Sequence, residues 1–241
     1  MMETHKSMDN GRIWELDALR GLCILCVIIV HTLFDLVYFW HLPITFPPVY
    51  QFIQDNGGVI FILLSGICVT LGSRSLRRGL IVLGFGMVIT IVTWGMTKVG
   101  MAGPDLVVRF GILHLLGTCM ILYPIFKAWP IPLVSGIGVI VIIAGYLFLQ
   151  NQVQSRWLFL LGLRYPGFTS GDYFPLFPYL GWFLLGTVLG KIFYSDRTTK
   201  FPHVRHELPV IRFFKACGRQ SLWIYLLHQP IVYGILTILT L

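Results

Sequence analysis

The chain has 241 residues, 56% apolar and only 12% charged, with a formal charge of +8. Its mean hydropathy of +0.79 excludes an ordinary soluble domain, where charged residues make up about 25%, and equally excludes disorder or a disulfide scaffold. The composition is that of a polytopic membrane protein, an all-α helix bundle. About seven spans of ~20 residues would use up ~140 residues, so no sizeable soluble domain fits and residues 1–241 read as a single transmembrane domain.

In chain order the apolar runs predict spans at about 16–39, 59–71, 80–99, 107–126, 131–149, 174–193 and 221–241. Glu3, Asp9 and Glu15 precede the first run and no small-residue cleavage site follows it, so it reads as a retained signal anchor. Pro43, Pro47 and Pro48 mark the first loop, and Gly57-Gly58 the mouth of the second span. The stretch 155–165 is too short to cross and reads as interfacial or re-entrant. The spacings Gly84/Gly86, Gly136/Gly138 and Gly186/Gly190 suit close helix approach, and self-association into a homo-oligomer stays open.

The basic residues set the orientation. With the N-terminus inside, Lys6, Arg12, Arg20, Arg74, Arg77, Arg78, Lys127 and the 191–219 loop cluster face the cytoplasm, about 14 against about four outside (Lys98, Arg109, Arg156, Arg164). Seven spans then put the C-terminus outside. The same rule accounts for the +8 charge without nucleic acid as a partner. The basic segment 201–220 alternates with apolar residues, as an interfacial helix on anionic lipid does.

The first span carries the chemistry. Ionisable side chains inside a membrane are costly and are functional candidates by default. At about 100° per residue, Asp17, Arg20, His31 and Asp35 fall in one ~60° stripe. His31 lies ~16 Å along the axis from Arg20, and Asp35 follows it at i, i+4, within side-chain reach. A carboxylate beside an imidazole fixes its tautomer and stabilises the imidazolium, so the ring can accept a proton from an attacking hydroxyl or amine. A structural His–Asp pair and a proton relay in a transporter are the competing readings.

The opening Leu16-Asp17-Ala18-Leu19-Arg20-Gly21 … Val30-His31 … Phe34-Asp35 resembles a known family. Arg20, ten residues, then His31 is similar to the Arg/Lys-x10-His signature of the integral-membrane acyltransferase family 3. The whole opening is closer to a sister group, the heparan-alpha-glucosaminide N-acetyltransferase catalytic domain and its bacterial relatives. The segments 109–117, 175–182 and 218–230 agree with it, so the resemblance runs through nearly the whole chain. It implies a membrane acyltransferase of the bacterial cytoplasmic membrane that takes acetyl groups from cytoplasmic acetyl-CoA to an acceptor on the far side, a sugar or glycan. His31 would be its catalytic histidine and Arg20 the companion toward the CoA side. The lysosomal enzyme has more spans and a large lumenal portion that this chain lacks, so its heparan sulfate acceptor does not transfer.

The remaining candidates follow from position. Arg109 and His114 lie near the outer end of the fourth span, as part of an acceptor pocket or as structural groups, and Asp17 joins them as a substrate-binding candidate from the stripe. His228 precedes Gln229-Pro230 in mid-span; it lines the cavity or satisfies a carbonyl freed by the proline. Asp172 reads as a sugar-binding carboxylate or as a turn residue. Arg74, Arg77, Arg78 and Arg219 are candidates for the CoA phosphates, for which guanidinium is suited. No metal is expected, because His31 and Asp35 alone are two ligands and no dense His/Cys cluster appears. Cys23-x-x-Cys26 lies on one helix and reads as packing. The rival function is a proton-coupled transporter with a His31–Asp35 relay.

Overall fold

The computed structural model describes residues 12–38 and 40–239. The ends of the first and last predicted spans, at Phe39 and Leu241, lie outside the described residues, as do Glu3, Lys6 and Asp9. Eight α-helices carry the described chain: α1 (Trp14–Tyr38), α2 (Pro48–Leu71), α3 (Ser75–Lys98), α4 (Ile112–Lys127), α5 (Ile131–Leu149), α6 (Leu176–Phe193), α7 (Pro209–Arg219) and α8 (Ser221–Leu239). Among the described residues there is no β-sheet, only two isolated bridges, Phe110 with Tyr173 and Gln152 with Arg164. Six helices are long and apolar enough to cross a membrane: α1, α2, α3, α5, α6 and α8. Large apolar side chains such as Ile91, Trp94, Ile140 and Ile238 stand exposed on them, as lipid-facing residues do. The protein is a multi-pass membrane protein with an all-α helical fold.

Three predicted boundaries are corrected. The second helix begins at Pro48, eleven residues before the predicted 59. Proline lacks the N–H that a first helical turn leaves unused, so it opens this helix and does not belong to a loop. Gly57-Gly58 therefore lie inside α2, with the Phe174 ring against Gly58. The fourth span, predicted from 107, becomes helical only at Ile112 and is 16 residues long. Residues 107–111 are held extended by the chain that precedes α6: Gly171 N–H donates to the Val107 carbonyl and Phe174 N–H to the Phe110 carbonyl. The interfacial segment 201–220 is helical only from Pro209 to Arg219. By contrast α5 keeps its predicted bounds, and 155–165 forms only a short 3-10 turn at Leu158–Leu161.

The helices fall into two compact units, one ending at Ile53 and resuming at Phe193, the other Gln54–Ile192. In the first, α7 and α8 pack on α1. Gly21 on α1 and Gly218 on α7 make this contact close: a Cβ on Gly21 would meet the Phe214 carbonyl, and one on Gly218 the Asp17 carbonyl. In the second unit α3 packs along α4. Of the glycine pairs expected to admit a neighbour, Gly86, Gly138, Gly186 and Gly190 do so, whereas Gly84 and Gly136 face open space.

Candidate active site

Polar residues of the first unit gather at two levels of α1. At its N-terminal end Asp17 is buried, and three guanidinium groups converge on it. Arg219 Nε donates to Asp17 Oδ2 at 3.4 Å, Arg20 Nη1 stands 3.9 Å from Oδ1, and Arg12 Nη1 stands 4.0 Å from Oδ2. The close α1–α7 contact at Gly21 and Gly218 is what brings Arg219, the last residue of α7, to Asp17. One carboxylate among three guanidiniums leaves an excess of two positive charges. Glu15 adds a second tie, accepting hydrogen bonds from the Thr199 hydroxyl and the Lys200 N–H, both at 2.8 Å. Trp14 stacks on His206 with ring centroids 5.8 Å apart. Asp17, singled out as a substrate-binding group, is thus placed as the anchor of the arginines. Arg12 is a member the sequence reading did not single out for the site, although its spacing from Asp17 was visible.

Three turns along α1, His31 meets α8. Its ring lies edge-on to that of His228, centroids 5.0 Å apart and planes at 67°. Asp35 is fully buried, and its hydrogen bonds come from α8: Gln229 Nε2 donates to both carboxylate oxygens, at 2.8 and 3.0 Å. The direct His31–Asp35 contact expected from the i, i+4 spacing is not formed; no hydrogen bond joins the two among the described residues. The amide reaches both oxygens at once, and both residues belong to one buried layer of the α1–α8 contact. No cation stands within ion-pair distance of Asp35 among the described residues. Gln229 is a second residue, after Arg12, that sequence reasoning missed. The signal was present in the polar pair His228-Gln229 inside an apolar run.

His228 is buried. Its Nδ1 lies 2.6 Å from the Tyr225 carbonyl oxygen. A carbonyl only accepts, so Nδ1 carries the proton and Nε2 holds the lone pair. That Nε2 is buried with no hydrogen-bond partner among the described residues, and so is Oε1 of the adjacent Gln229. Each buried acceptor left unpaired costs about 1–3 kcal/mol. The carbonyl that Pro230 frees is that of Leu226, four residues back, so the expectation that His228 satisfies it is not met: Nδ1 serves the Tyr225 carbonyl instead. Its other nitrogen is left for something else.

The second unit holds the other candidates. His114 is buried, and both its nitrogens are engaged. Gly111 N–H donates to Nδ1 at 3.2 Å, which places the proton on Nε2, 3.1 Å from Thr90 Oγ1. Thr90 in turn donates to the Val108 carbonyl at 2.7 Å. Asp172 Oδ2 accepts from Ile112 N–H at 2.9 Å. His114 and Asp172 together therefore satisfy N–H groups at the start of α4, which a helix leaves without partners. Arg109 is exposed and tied to the 169–170 loop, Nε to the Thr169 carbonyl at 2.9 Å and its N–H to Ser170 Oγ at 3.1 Å. Arg74, in a left-handed conformation with φ 62°, makes the turn between α2 and α3, where Arg77 and Arg78 open α3. Arg78 Nη2 donates to the Ser73 carbonyl at 3.1 Å. Outside the spans, burial pushes the Tyr173 hydroxyl up to about 12, and it donates to the Phe159 carbonyl at 2.6 Å.

Among the described residues no group of three His, Cys, Asp or Glu side chains is placed to hold a metal ion, and the five cysteines are free thiols. A multi-pass helical membrane protein with an arginine cluster at one level of a helix and a pair of imidazoles, His31 half-buried and His228 buried, at another is thus defined. The family model described as heparan-alpha-glucosaminide N-acetyltransferase, catalytic, matches residues 12–230, and the chain belongs to that family. It is accordingly an enzyme, a membrane acyltransferase dependent on acetyl-CoA. No curated protein and no solved structure matches the chain.

Proposed function

We propose that the chain moves an acetyl group from cytoplasmic acetyl-CoA to an amino or hydroxyl group of a sugar or glycan on the far side of a bacterial cytoplasmic membrane. The observation that carries this is the two-level arrangement on α1: arginines gathered on Asp17, and His31 ~16 Å beyond Arg20 along the same helix. Two excess positive charges suit the phosphates of CoA, with Arg20 and Arg219 as the principal contacts and Arg12 beside them. Arg74, Arg77 and Arg78 are further candidates for the same phosphates.

His31 is the reacting imidazole, as general base or as transient acyl carrier. Asp35, buried one turn beyond it, supports the charge that develops on the ring, and Gln229 holds that carboxylate in place. Arg109 and Asp17 remain substrate-side candidates only through their position in the family pattern, since their side chains are engaged in structural bonds, and His114, with both ring nitrogens bonded within the chain, serves the start of α4 instead. The family model runs through both compact units, which supports reading residues 1–241 as one acyltransferase domain. With α4, whose 16 residues rise ~24 Å, counted as a seventh span, the basic asymmetry puts the N-terminus inside and the C-terminus outside. The amino sugar in the family's name supports a sugar acceptor.

Purified protein in detergent, given acetyl-CoA and glucosamine, is expected to release free CoA thiol and to gain acetylated sugar in equal amount. Proton-coupled uptake of a solute into vesicles without thiol release would replace this reading with the transporter.

A further inference from the structure

The His228 imidazole is held as a base with its lone pair unused. Its Nδ1–H is committed to the Tyr225 carbonyl at 2.6 Å. This fixes the tautomer and turns the basic nitrogen, Nε2, away from the helix backbone. Nε2 is buried and has no partner among the described residues. The ring touches that of His31 edge-on, at 5.0 Å between centroids. The next residue, Gln229, donates through Nε2 to Asp35 and also leaves a buried acceptor, Oε1, without a donor among the described residues. Buried acceptors are normally paired. Two on adjacent residues, both beside the stripe that carries His31 and Asp35, mark a place where a donor group is brought in from outside the chain. An orienting carbonyl on Nδ1 with a free Nε2 is the arrangement a general base requires.

We propose that His228 is the general base and acid of the acetyl transfer, and that His31 works beside it on the acyl group. This rests on the acetyl-transfer reading above and divides its chemistry between two rings. As the acceptor nitrogen or oxygen forms its bond to the acetyl carbonyl carbon, its proton passes to His228 Nε2. The bond from that carbon to the leaving group then breaks. The leaving group is the CoA thiolate, or the His31 imidazole where that ring has first displaced CoA from the acetyl carbon and given the departing thiolate its own ring proton. It keeps the bonding electron pair and takes the proton back from Nε2. His228 ends neutral, with its Nδ1–H unchanged throughout, and no other reactant is consumed. Gln229 Oε1 accepts a second hydrogen bond from the acceptor and so positions it.

The test uses the full chain in detergent with acetyl-CoA as donor and glucosamine and N-acetylglucosamine as probe acceptors, read by thiol release. His228→Asn keeps an N–H where Nδ1 was, so the bond to the Tyr225 carbonyl survives, and it deletes Nε2. We expect kcat to fall ~10²–10⁴-fold with KM for acetyl-CoA and the CoA-dependent thermal shift unchanged. In His228→Ala, millimolar imidazole should restore part of the lost rate, which a packing defect would not allow. His228→Asn turning over at more than half the wild-type rate overturns the proposal. An acceptor-independent arm is the 15N spectrum of the histidine rings, with the His228 signals assigned by their loss in His228→Asn. The expected state is Nδ1–H with a bare Nε2, and a proton found on Nε2 in the free enzyme overturns the assignment. His31→Ala in the same assay separates the two readings. Loss of activity there with His228→Asn still active leaves acetyl transfer standing and removes only the role of His228. Absence of thiol release in the wild type with both probes counts against the transfer reading itself, while the 15N spectrum still decides the tautomer.

Discussion

His114 and His228 are both buried imidazoles on apolar helices, and they differ in what their second nitrogen does. In His114, Nδ1 accepts from Gly111 and Nε2 meets Thr90, so the ring is closed on the chain that builds the start of α4. In His228, Nδ1 is spent on Tyr225 and Nε2 is left bare beside His31. Burial alone does not separate a structural histidine from a reactive one, because both are nearly inaccessible. The completeness of the hydrogen bonding does. A closed ring stabilises; an open one holds a position at a cost of about 1–3 kcal/mol, which folding alone would not maintain. The same contrast runs through the carboxylates. Asp172 closes a helix N-terminus, whereas fully buried Asp35 is held by one amide and, among the described residues, has no cation beside it.

Setting His31, the ring in contact with the open His228, against the closed His114 is the strongest way to break this contrast. His31→Ala, on the open side, should lower acetyl transfer by ~10²–10⁴-fold while the melting temperature and the CoA-induced thermal shift stay near wild type. His114→Ala, on the closed side, should do the reverse. It removes the acceptor for Gly111 N–H and the partner of Thr90, costing about 1–3 kcal/mol, with specific activity of the folded fraction retained. Thiol release and thermal melts on the same preparations report both. If His31→Ala turns over at near the normal rate, the catalytic assignment fails and its ring is structural.

Asp35→Asn tests whether the carboxylate acts through charge or through shape. The oxygen that remains still accepts from Gln229 Nε2, so the α1–α8 contact survives and Oε1 keeps its place. Only the negative charge next to the imidazole pair is lost. The expected fall in kcat is intermediate, ~10–10²-fold, less than for loss of the base itself. A rate equal to wild type would make Asp35 a packing group. Next in size is Arg20→Gln, which should weaken CoA binding ~10-fold or more, since a hydrogen bond to a charged group is worth about 1.5–3 kcal/mol. Arg156→Gln, on an exposed loop of the second unit, serves as the charge-matched control. Equal CoA affinity in the two variants would remove Arg20 from the phosphate site.

How much of this was legible in the sequence follows from the range of each interaction. The bounds of α5 were readable because Pro130 and Pro132 open it and the apolar run stops at Leu149, all local signals. The stripe Asp17, Arg20, His31, Asp35 was legible because helical periodicity is local too. The partners of that stripe were not. Gln229 reaches Asp35 from 194 residues away and Arg219 reaches Asp17 from 202 away. The fourth helix is shorter than its apolar run for the same reason, since residues 107–111 are paired with the chain near Gly171 and Phe174. The second helix is longer than its apolar run because Pro48 and Gly57-Gly58, which read as breakers, lie within it, and a helix accepts proline at its first position.

Tyr173 gives the smallest effect and sharpens the contrast from outside the spans. Its hydroxyl donates to the Phe159 carbonyl at 2.6 Å, and Phe168 packs on its ring at 4.8 Å between centroids. It is a closed group by the criterion applied to His114. Burial raises its ionisation from the ordinary value near 10 to about 12, because the phenolate would lose water and the neutral hydroxyl keeps its acceptor. A group whose ionisation is raised on folding contributes stability that is whole below the unfolded value. That contribution is therefore intact below about pH 10 and drains away as pH climbs toward 12. Melting curves of the wild type should fall across that window, and Tyr173→Phe should flatten the fall while lowering stability at neutral pH by about 1 kcal/mol. Acetyl transfer at neutral pH should be unchanged, as a closed group predicts. A Tyr173→Phe variant with the wild-type alkaline slope would assign that slope to other groups, and one with impaired transfer would move Tyr173 to the open, reactive class.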